Sequence, residues 1–152
     1  MATQTEKRGA GLLLRSGDEV LLLLRRSAHN DLHWGLPGGN CEADDTDLEE
    51  TARREATEEL GPLPPLKLTS SHVTRRGKHL EKEYTVFSCI LERTVRDAWK
   101  PKLNEEHREW RWFLVAAVTA AGAGVAGAPA PLHPVVAALV AQGVMREELV
   151  AS

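Results

Sequence analysis

The sequence predicts an α/β protein in which helices cover a sheet, and three observations point to it. Two short apolar runs flank a Ser-Gly-Asp turn at residues 16–18, which is typical of a β-hairpin. Residues 47–60 place apolar side chains four positions apart and therefore predict a helix with one apolar side. Two later segments, residues 67–74 and 82–92, alternate in the manner of strands. This order of elements favours an α/β sandwich.

The early hairpin consists of strands near residues 10–15 and 20–24, and its leucines run consecutively. A continuous apolar run indicates strands that are buried on both faces. Arg25 and Arg26 follow the second run. Both are candidate substrate-binding residues because the guanidinium group matches phosphate oxygens, although two surface charges at a strand end would give the same pattern.

A Trp-Gly-Leu-Pro-Gly-Gly segment at residues 34–39 leads into an acidic loop and then into the predicted helix. We expect Trp34 to pack in the core rather than to stack on a substrate, because its bulk is apolar. The two adjacent glycines predict a turn. Thr46 or Asp47 can cap the helix, and Gly61 followed by proline ends it.

The two later strands should pair as a second hairpin, with a basic tip at residues 75–79. Lys78 and Lys82 near this tip are candidate contacts to an anionic substrate, whereas a solvated hairpin tip explains the same charges equally well. A final strand is expected at residues 110–114, where aromatic and other side chains alternate.

The C-terminal part is rich in alanine and glycine. It begins with a short predicted helix near Ala116 and continues as a flexible linker over residues 122–131. Residues 134–150 then predict a last helix, with proline in its first turn and Gly143 weakening its middle.

Length and charge limit the class of protein. The 152 residues suit a single domain over residues 1–152, with a core at about 8–118 and a C-terminal linker and helix at 119–152. A net charge of −3 and a pI of about 6.1 provide no general basic field, so no nucleic-acid partner is expected. The sequence contains no run of about 18 apolar residues, so no membrane partner is expected either.

Cysteine usage and the first residues bear on the compartment. Cys41 and Cys89 do not suggest a disulfide framework and fit a reducing environment. The polar start of the chain lacks the apolar core of a secretion signal. The expected location is the cytoplasm, or the lumen of an organelle if a targeting segment has been removed.

The predicted helix carries the clearest chemical signal. Arg54, Glu55, Glu58 and Glu59 gather on one side of it, because positions three and four apart are neighbours. The carboxylates repel one another, which a solvated surface tolerates at small cost. A site for hard cations would require such a cluster, since Mg²⁺ takes oxygen ligands and prefers carboxylates together with substrate phosphates. The helix alone leaves both interpretations open.

Residues 54–61, with the sequence Arg-Glu-Ala-Thr-Glu-Glu-Leu-Gly, resemble the second half of the signature of the Nudix hydrolases. In the first half, Asp45 stands where the general pattern has Glu, at the sixth position after Gly39. The loop from Asp45 to Arg54 is one residue longer than the general pattern. A similar spacing is seen in the coenzyme A diphosphatase branch of the family.

The resemblance implies a Nudix-type α/β/α sandwich with a mixed β-sheet. It also implies that Glu55, Glu58, Glu59 and a carbonyl of Gly39 or its neighbour hold Mg²⁺, for which Mn²⁺ can substitute. Arg54 would orient the acids, most directly Glu58 one turn along. Such a metal neutralises phosphate oxygens and lowers the pKa of a bound water, so metal-assisted hydrolysis of a diphosphate linkage is the implied reaction.

Glu106, or less favourably Glu105, precedes the predicted final strand, where Nudix proteins often place a further acid. A polar turn would give the same pattern. The general base is Glu55, Glu59 or Glu106, and the resemblance does not select among them.

The signature defines the substrate only as a nucleoside diphosphate linked to another group. Candidates are nucleoside triphosphates, including oxidised ones, dinucleotide polyphosphates, nucleotide sugars and coenzyme A. A pyrophosphohydrolase acting on a small-molecule nucleotide is favoured, with a coenzyme A or nucleotide-sugar diphosphatase as an alternative. A Nudix-fold nucleotide-binding or regulatory module without turnover and an acidic interaction helix on an unrelated fold are two further readings. Nudix relatives often dimerise, so a homodimer is compatible with the sequence.

Overall fold

The computed structural model describes residues 7–28, 30–121, 128–129 and 131–145. The part of the chain that it describes forms seven strands and four helices. In chain order these are β1 Lys7–Ser16, β2 Glu19–Arg25, β3 Trp34–Gly35, β4 Gly38–Asn40, α1 Leu48–Leu60, β5 Lys67–Arg76, β6 Lys82–Ile90, α2 Arg93–Ala98, β7 His107–Leu114, α3 Val115–Thr119 and α4 Pro134–Ala141. No helix among these is long and apolar enough to cross a membrane.

The strands form one mixed sheet in the order β3-β2-β1-β6-β5, with β4 beside β1 and β7 beside β2. Strands β1 and β6 run parallel, and the other pairs are antiparallel. The register pairs β1 with β2 only next to their turn, at Arg15 and Ser16. Near its start β1 pairs with β4 instead, through Gly9 to Gly11. This change of partner brings the glycines of β4 next to helix α1.

The sheet has a hydrophobic core on each face, because successive side chains of a strand point to opposite faces. Leu12 packs on one face with Ala52 and Ala56 of α1. Leu13 packs on the other face with α3 and α4, for example with Leu139. The consecutive leucines are therefore buried on both sides, as predicted. Helices on both faces of a mixed sheet confirm the α/β/α sandwich.

Local signals fix helix α1. The side chain of Asp47 accepts a hydrogen bond from the Glu50 N–H at 2.8 Å, so Asp47 rather than Thr46 is the N-cap. Gly61 ends the helix with φ of +79°. Only glycine adopts this conformation without strain, which explains the predicted stop.

Trp34 is 7% exposed and meets Phe113 edge to face, with ring centroids 4.9 Å apart. The prediction that it packs in the core is confirmed. Cys41 is exposed and Cys89 is buried, and the two do not form a disulfide with each other.

Three expectations about the chain need correction. Gly38 and Gly39 lie in strand β4 and not in a turn, because the start of β1 offers them an edge to pair with. Helix α2 was not anticipated. The last helix ends at Ala141, and Gly143 at φ +77° belongs to the turn that follows it instead of to its middle. The end of the predicted helix, residues 146–150, and most of the predicted linker, residues 122–127 and 130, lie outside the described residues.

Candidate functional site

A cleft of about 400 Å³ opens where β4, the start of α4 and the loop before β7 meet. Two groups of charged side chains line it, one acidic and one basic. The lining consists of Arg25, Leu36, Gly38, Gly39, Asn40, Glu42, Glu55, Arg76, Tyr84, Glu106, His133 and Val135.

Neighbouring atoms approach both glycines of β4 closely and leave little room for a side chain. A Cβ on Gly39 would lie 2.5 Å from Cδ of Glu55, and a Cβ on Gly38 would lie 2.1 Å from the Tyr84 hydroxyl oxygen. Gly38 also meets backbone of β1 and so excludes a side chain, whereas a side chain at position 39 would displace the Glu55 carboxylate. The backbone of β4 therefore lies directly against the carboxylate of Glu55.

Glu59 is the most buried acid of the site, at 1% exposure. One of its oxygens accepts a hydrogen bond from the Gly38 N–H at 2.9 Å, and the other is hydrogen-bonded to Nε2 of His107. Burial raises the pKa of Glu59, and the hydrogen bond from His107 opposes that rise. Glu106 completes this corner, because Glu59, Glu106 and His107 each offer a ligand atom within 4.8 Å of the others.

Glu55 lies one turn before Glu59 on α1, and Glu58 directly precedes Glu59. The Glu55 side chain is 17% exposed and that of Glu58 is 56% exposed. Burial raises the pKa of Glu55, and the nearby charge of Glu58 raises it further. Crowded carboxylates with raised pKa values favour a bound cation, because a cation relieves both the repulsion and the burial of charge.

Arg54 connects the acidic loop to these helix acids. Its Nε and Nη2 bind the two oxygens of Asp45 at 3.0 and 2.9 Å, and this pair holds the pKa of Asp45 well below its usual range. Its Nη1 donates to Glu55 at 3.1 Å and to Glu58 at 3.3 Å. Arg54 thus contacts two of the acids, but its bidentate partner is Asp45.

The basic group gathers around His133, the N-cap of α4. Nδ1 of His133 accepts the Val135 N–H at 3.1 Å. Burial, followed by the charges of Arg25 and Arg76, lowers the pKa of His133 to about 3, so the ring is neutral at pH 7. Tyr84 lies between the two groups. Burial and the charge of Glu59 raise the pKa of its hydroxyl, whereas Arg76 lowers it.

The structure separates the predicted site residues into three sets. Arg25, Gly39, Glu55 and Glu106 line the cleft. Glu59 does not line the cleft itself but is hydrogen-bonded to Gly38, which does. Arg54 and Glu58 line a charged groove on the outer side of α1.

The remaining predicted contacts lie elsewhere. Arg26 and Lys78 are exposed and do not line the cleft. Lys82 lines a smaller cavity of about 190 Å³, which shares Arg76 and Tyr84 with the cleft.

Four residues of the site were missed in the sequence, namely Arg76, Tyr84, His107 and His133. Arg76 lies within the predicted basic tip at residues 75–79, and Tyr84 lies within the predicted strand at residues 82–92, but neither pattern indicates a site residue. A histidine directly after Glu106 was the one available hint for His107. His133 had a weaker hint, since it precedes a proline at a predicted helix start.

Comparison with known proteins gives the family. The NUDIX domain pattern matches residues 5–134, which is most of the chain. The chain belongs to the Nudix family. A Mycobacterium tuberculosis protein named "Putative 8-oxo-dGTP diphosphatase 3" is 32% identical over 135 residues, or 82% of this chain. The chain spans just over half, 56%, of the length of that Nudix relative.

Solved structures agree with this assignment. The Nudix hydrolase RenU of M. smegmatis superposes with a TM-score of 0.67 at 27% identity, covering 96% of this chain and 87% of that one. The C. elegans Ap4A hydrolase, solved as a binary complex, superposes with a TM-score of 0.69 at 17% identity, covering 93% and 98%. The second likeness concerns the Nudix fold alone.

Proposed function

We propose that the chain is a metal-dependent Nudix hydrolase that cleaves the diphosphate linkage of a nucleoside diphosphate derivative. The observation that carries the proposal is that Glu55 and Glu59 lie against the backbone of Gly39 and Gly38, with Glu106 beside Glu59. A divalent cation beside a diphosphate would compensate for the crowded negative charge of this corner.

The residues fit Mg²⁺ or Mn²⁺. The candidate metal ligands on α1 are all carboxylate oxygens, and the backbone of β4 lies directly against Glu55. Hydrogen bonds engage both oxygens of Glu59, but each carboxylate oxygen has a second lone pair that remains free for a metal. When bound, the ion would neutralise phosphate oxygens and lower the pKa of a bound water.

The protein's own groups would position the substrate and take up the proton. Arg54 fixes Glu55 and Glu58 through the ion pair with Asp45. Glu55, whose pKa is raised by burial, and the exposed Glu106 both line the cleft and are the two accessible candidates for the general base. Glu59 is less suited to that role, since His107 and Gly38 already occupy it.

The favoured substrate is a nucleoside triphosphate, including an oxidised one, and the reaction is then that of a nucleotide pyrophosphohydrolase. The name of the M. tuberculosis relative supports this class, and the electropositive end of the cleft suits a polyphosphate. A nucleotide-sugar or coenzyme A diphosphatase is the alternative within the same chemistry.

The test is a phosphate-release assay over a nucleotide panel, with Mg²⁺, with Mn²⁺ and with a chelator. We expect Glu58→Gln and Glu59→Gln each to lower kcat by at least about 100-fold while the thermal midpoint stays close to that of the wild type. Glu49→Gln is the matched control, because Glu49 lies on the same helix and, among the described residues, pairs with Arg53 at the surface. Near-normal turnover in both active-site variants would refute the site.

A nucleotide-binding module without turnover is the second candidate. It is favoured by Glu59, because one hydrogen bond on each oxygen leaves this carboxylate fewer lone pairs for a metal. Saturable nucleotide binding with no phosphate release under any metal would select it.

A further inference from the structure

The basic side of the cleft contains charges that lack a counter-charge. Among the described residues, no carboxylate lies within ion-pair distance of Arg25 or Arg76, and the Nε atom of each is buried without a hydrogen-bond partner. The side-chain contact of Arg25 there is a long hydrogen bond of 3.4 Å to the Ser27 hydroxyl. Partly buried cations are normally paired, so this arrangement calls for an anion from outside the described chain.

His133 adds a donor of fixed orientation to the same place. Its Nδ1 is occupied as an acceptor for the Val135 N–H, so in the neutral ring the proton sits on Nε2. The side chain of His133 packs against Gly35, because a Cβ added to Gly35 would lie 3.2 Å from Cβ of His133. The three side chains together offer hydrogen-bond donors and no free acceptor.

The composition of the cleft decides which ligand group fits these donors. Its metal-binding end is acidic, and a diphosphate enters there only with a cation. The basic end needs no cation and suits oxygens that carry negative charge of their own. An uncharged sugar would leave both guanidinium groups without compensation.

We propose that Arg25, Arg76 and His133 form a subsite for the terminal phosphate groups of a polyphosphate substrate. The subsite rests on the proposed function, because the scissile linkage must lie at the acidic end. It deepens that function by selecting a nucleoside triphosphate over a diphosphate whose second group is an uncharged sugar.

The first test measures binding without catalysis. Inorganic tripolyphosphate is titrated calorimetrically into metal-free protein, as wild type and as Arg76→Gln and His133→Asn. We expect each variant to raise the dissociation constant by about tenfold or more, since hydrogen bonds from charged or fixed donors to phosphate are lost. His133→Asn keeps an oxygen acceptor for the Val135 N–H, and Asn is a favoured N-cap, so the start of α4 is preserved.

Arg75→Gln is the matched control. Arg75 is the neighbour of Arg76 on β5, and its replacement removes the same charge. Unlike Arg76, Arg75 is exposed and paired with Glu83 at 3.0 Å. We expect its dissociation constant for tripolyphosphate to remain within about twofold of the wild type. Equal weakening in Arg75→Gln and Arg76→Gln would mean a general charge effect and would overturn the subsite. Absence of tripolyphosphate binding to the wild-type protein would overturn it as well.

The second test compares a nucleoside triphosphate with ADP-ribose, whose second group is an uncharged sugar. Arg76→Gln should raise KM for the triphosphate by about tenfold and leave that for ADP-ribose within about twofold. Equal losses for both substrates would contradict the assignment to terminal phosphates. If the wild-type protein hydrolyses neither compound, the proposed hydrolase function fails, whereas the calorimetric test still decides on the subsite.

Discussion

The hydrogen bond between His107 and Glu59 gives the sharpest test of how the acidic corner is built. The two side chains are 0% and 1% exposed, and 48 positions of sequence separate them. Replacement by His107→Ala leaves one Glu59 oxygen buried without its donor. A hydrogen bond to a charged group contributes about 1.5–3 kcal/mol, and groups that orient a metal ligand typically account for about 10–100-fold in metal affinity. Since a tenfold change in a dissociation constant is about 1.4 kcal/mol, the loss of about 10–100-fold in metal affinity corresponds to about the same free energy as the lost hydrogen bond.

The assay is Mn²⁺ binding, followed by electron paramagnetic resonance at constant pH in the absence of substrate. We expect His107→Ala to raise the Mn²⁺ dissociation constant by about 10–100-fold. His107→Gln, whose amide can still donate, should recover part of this loss. His79→Ala is the control, because His79 is an exposed histidine on the β5–β6 turn.

A purely structural role for His107 makes a different prediction. The variant would then lose thermal stability while its affinity for Mn²⁺ remained unchanged, and that result would refute the reasoning. A double-mutant cycle adds a second criterion. In a Glu59→Gln background, His107→Ala should have little further effect on Mn²⁺ binding, because the interaction that it removes is already altered.

Three further predictions concern the surroundings of the site. Gly38→Ala should destabilise the fold by about 2–3 kcal/mol in denaturant titrations, because the new Cβ meets backbone of β1 that cannot move aside. Gly17→Asn should cost much less, since its surroundings are open and Asn tolerates positive φ. The folded-state pKa of His133 is about 3, below the 6.5 of an unperturbed histidine, so the unfolded chain binds its proton first and stability falls as pH drops below 6.5. Between pH 7 and pH 5 the wild type should lose about 2 kcal/mol more than His133→Asn, measured by urea titration at each pH. Asp45→Ala should lower kcat by about tenfold in the phosphate-release assay without weakening tripolyphosphate binding, because it frees Arg54 but leaves the basic subsite intact.

The parts of the fold that were predictable from sequence are those with local causes. The consecutive leucines of β1 and β2 predicted strands buried on both faces, and 0–1% exposure confirms it for residues such as Leu12 and Leu13. The limits of α1 followed from Asp47 and Gly61, since caps act within one turn of the helix end. These signals do not depend on the rest of the chain.

Strand β4 had no such signal. Two glycines and an asparagine form a strand only because one edge of β1 is free at Gly9 to Gly11. That edge is free because β2 pairs with β1 only next to their turn and otherwise pairs with β7 and β3. Because the pairing partners of β1 and β4 are about 30 residues apart in the chain, their pairing produces no periodic pattern in the sequence.

The candidate site divides in the same way. The acids of α1 were identified because their spacing on one helix brings them together. The basic group was largely missed, since Arg25, Arg76 and His133 come from three separate elements and meet only in the folded sheet. No spacing rule connects an arginine at the end of β5 to a histidine at the start of α4.

The longer loop before α1 shows how a departure from a pattern can preserve a contact. Asp is one methylene shorter than the Glu of the general Nudix pattern, so on an unchanged backbone its carboxylate would reach less far toward Arg54. Here Asp45 still forms a bidentate pair with Arg54, and the Thr51 hydroxyl and the Glu42 N–H hold the same carboxylate at 2.8 Å each. The loop thus holds Asp45 against Thr51 and Arg54 of α1. Because Arg54 is fixed in this way, its remaining Nη1 reaches Glu55 and Glu58, and the acids of the helix keep their orientation.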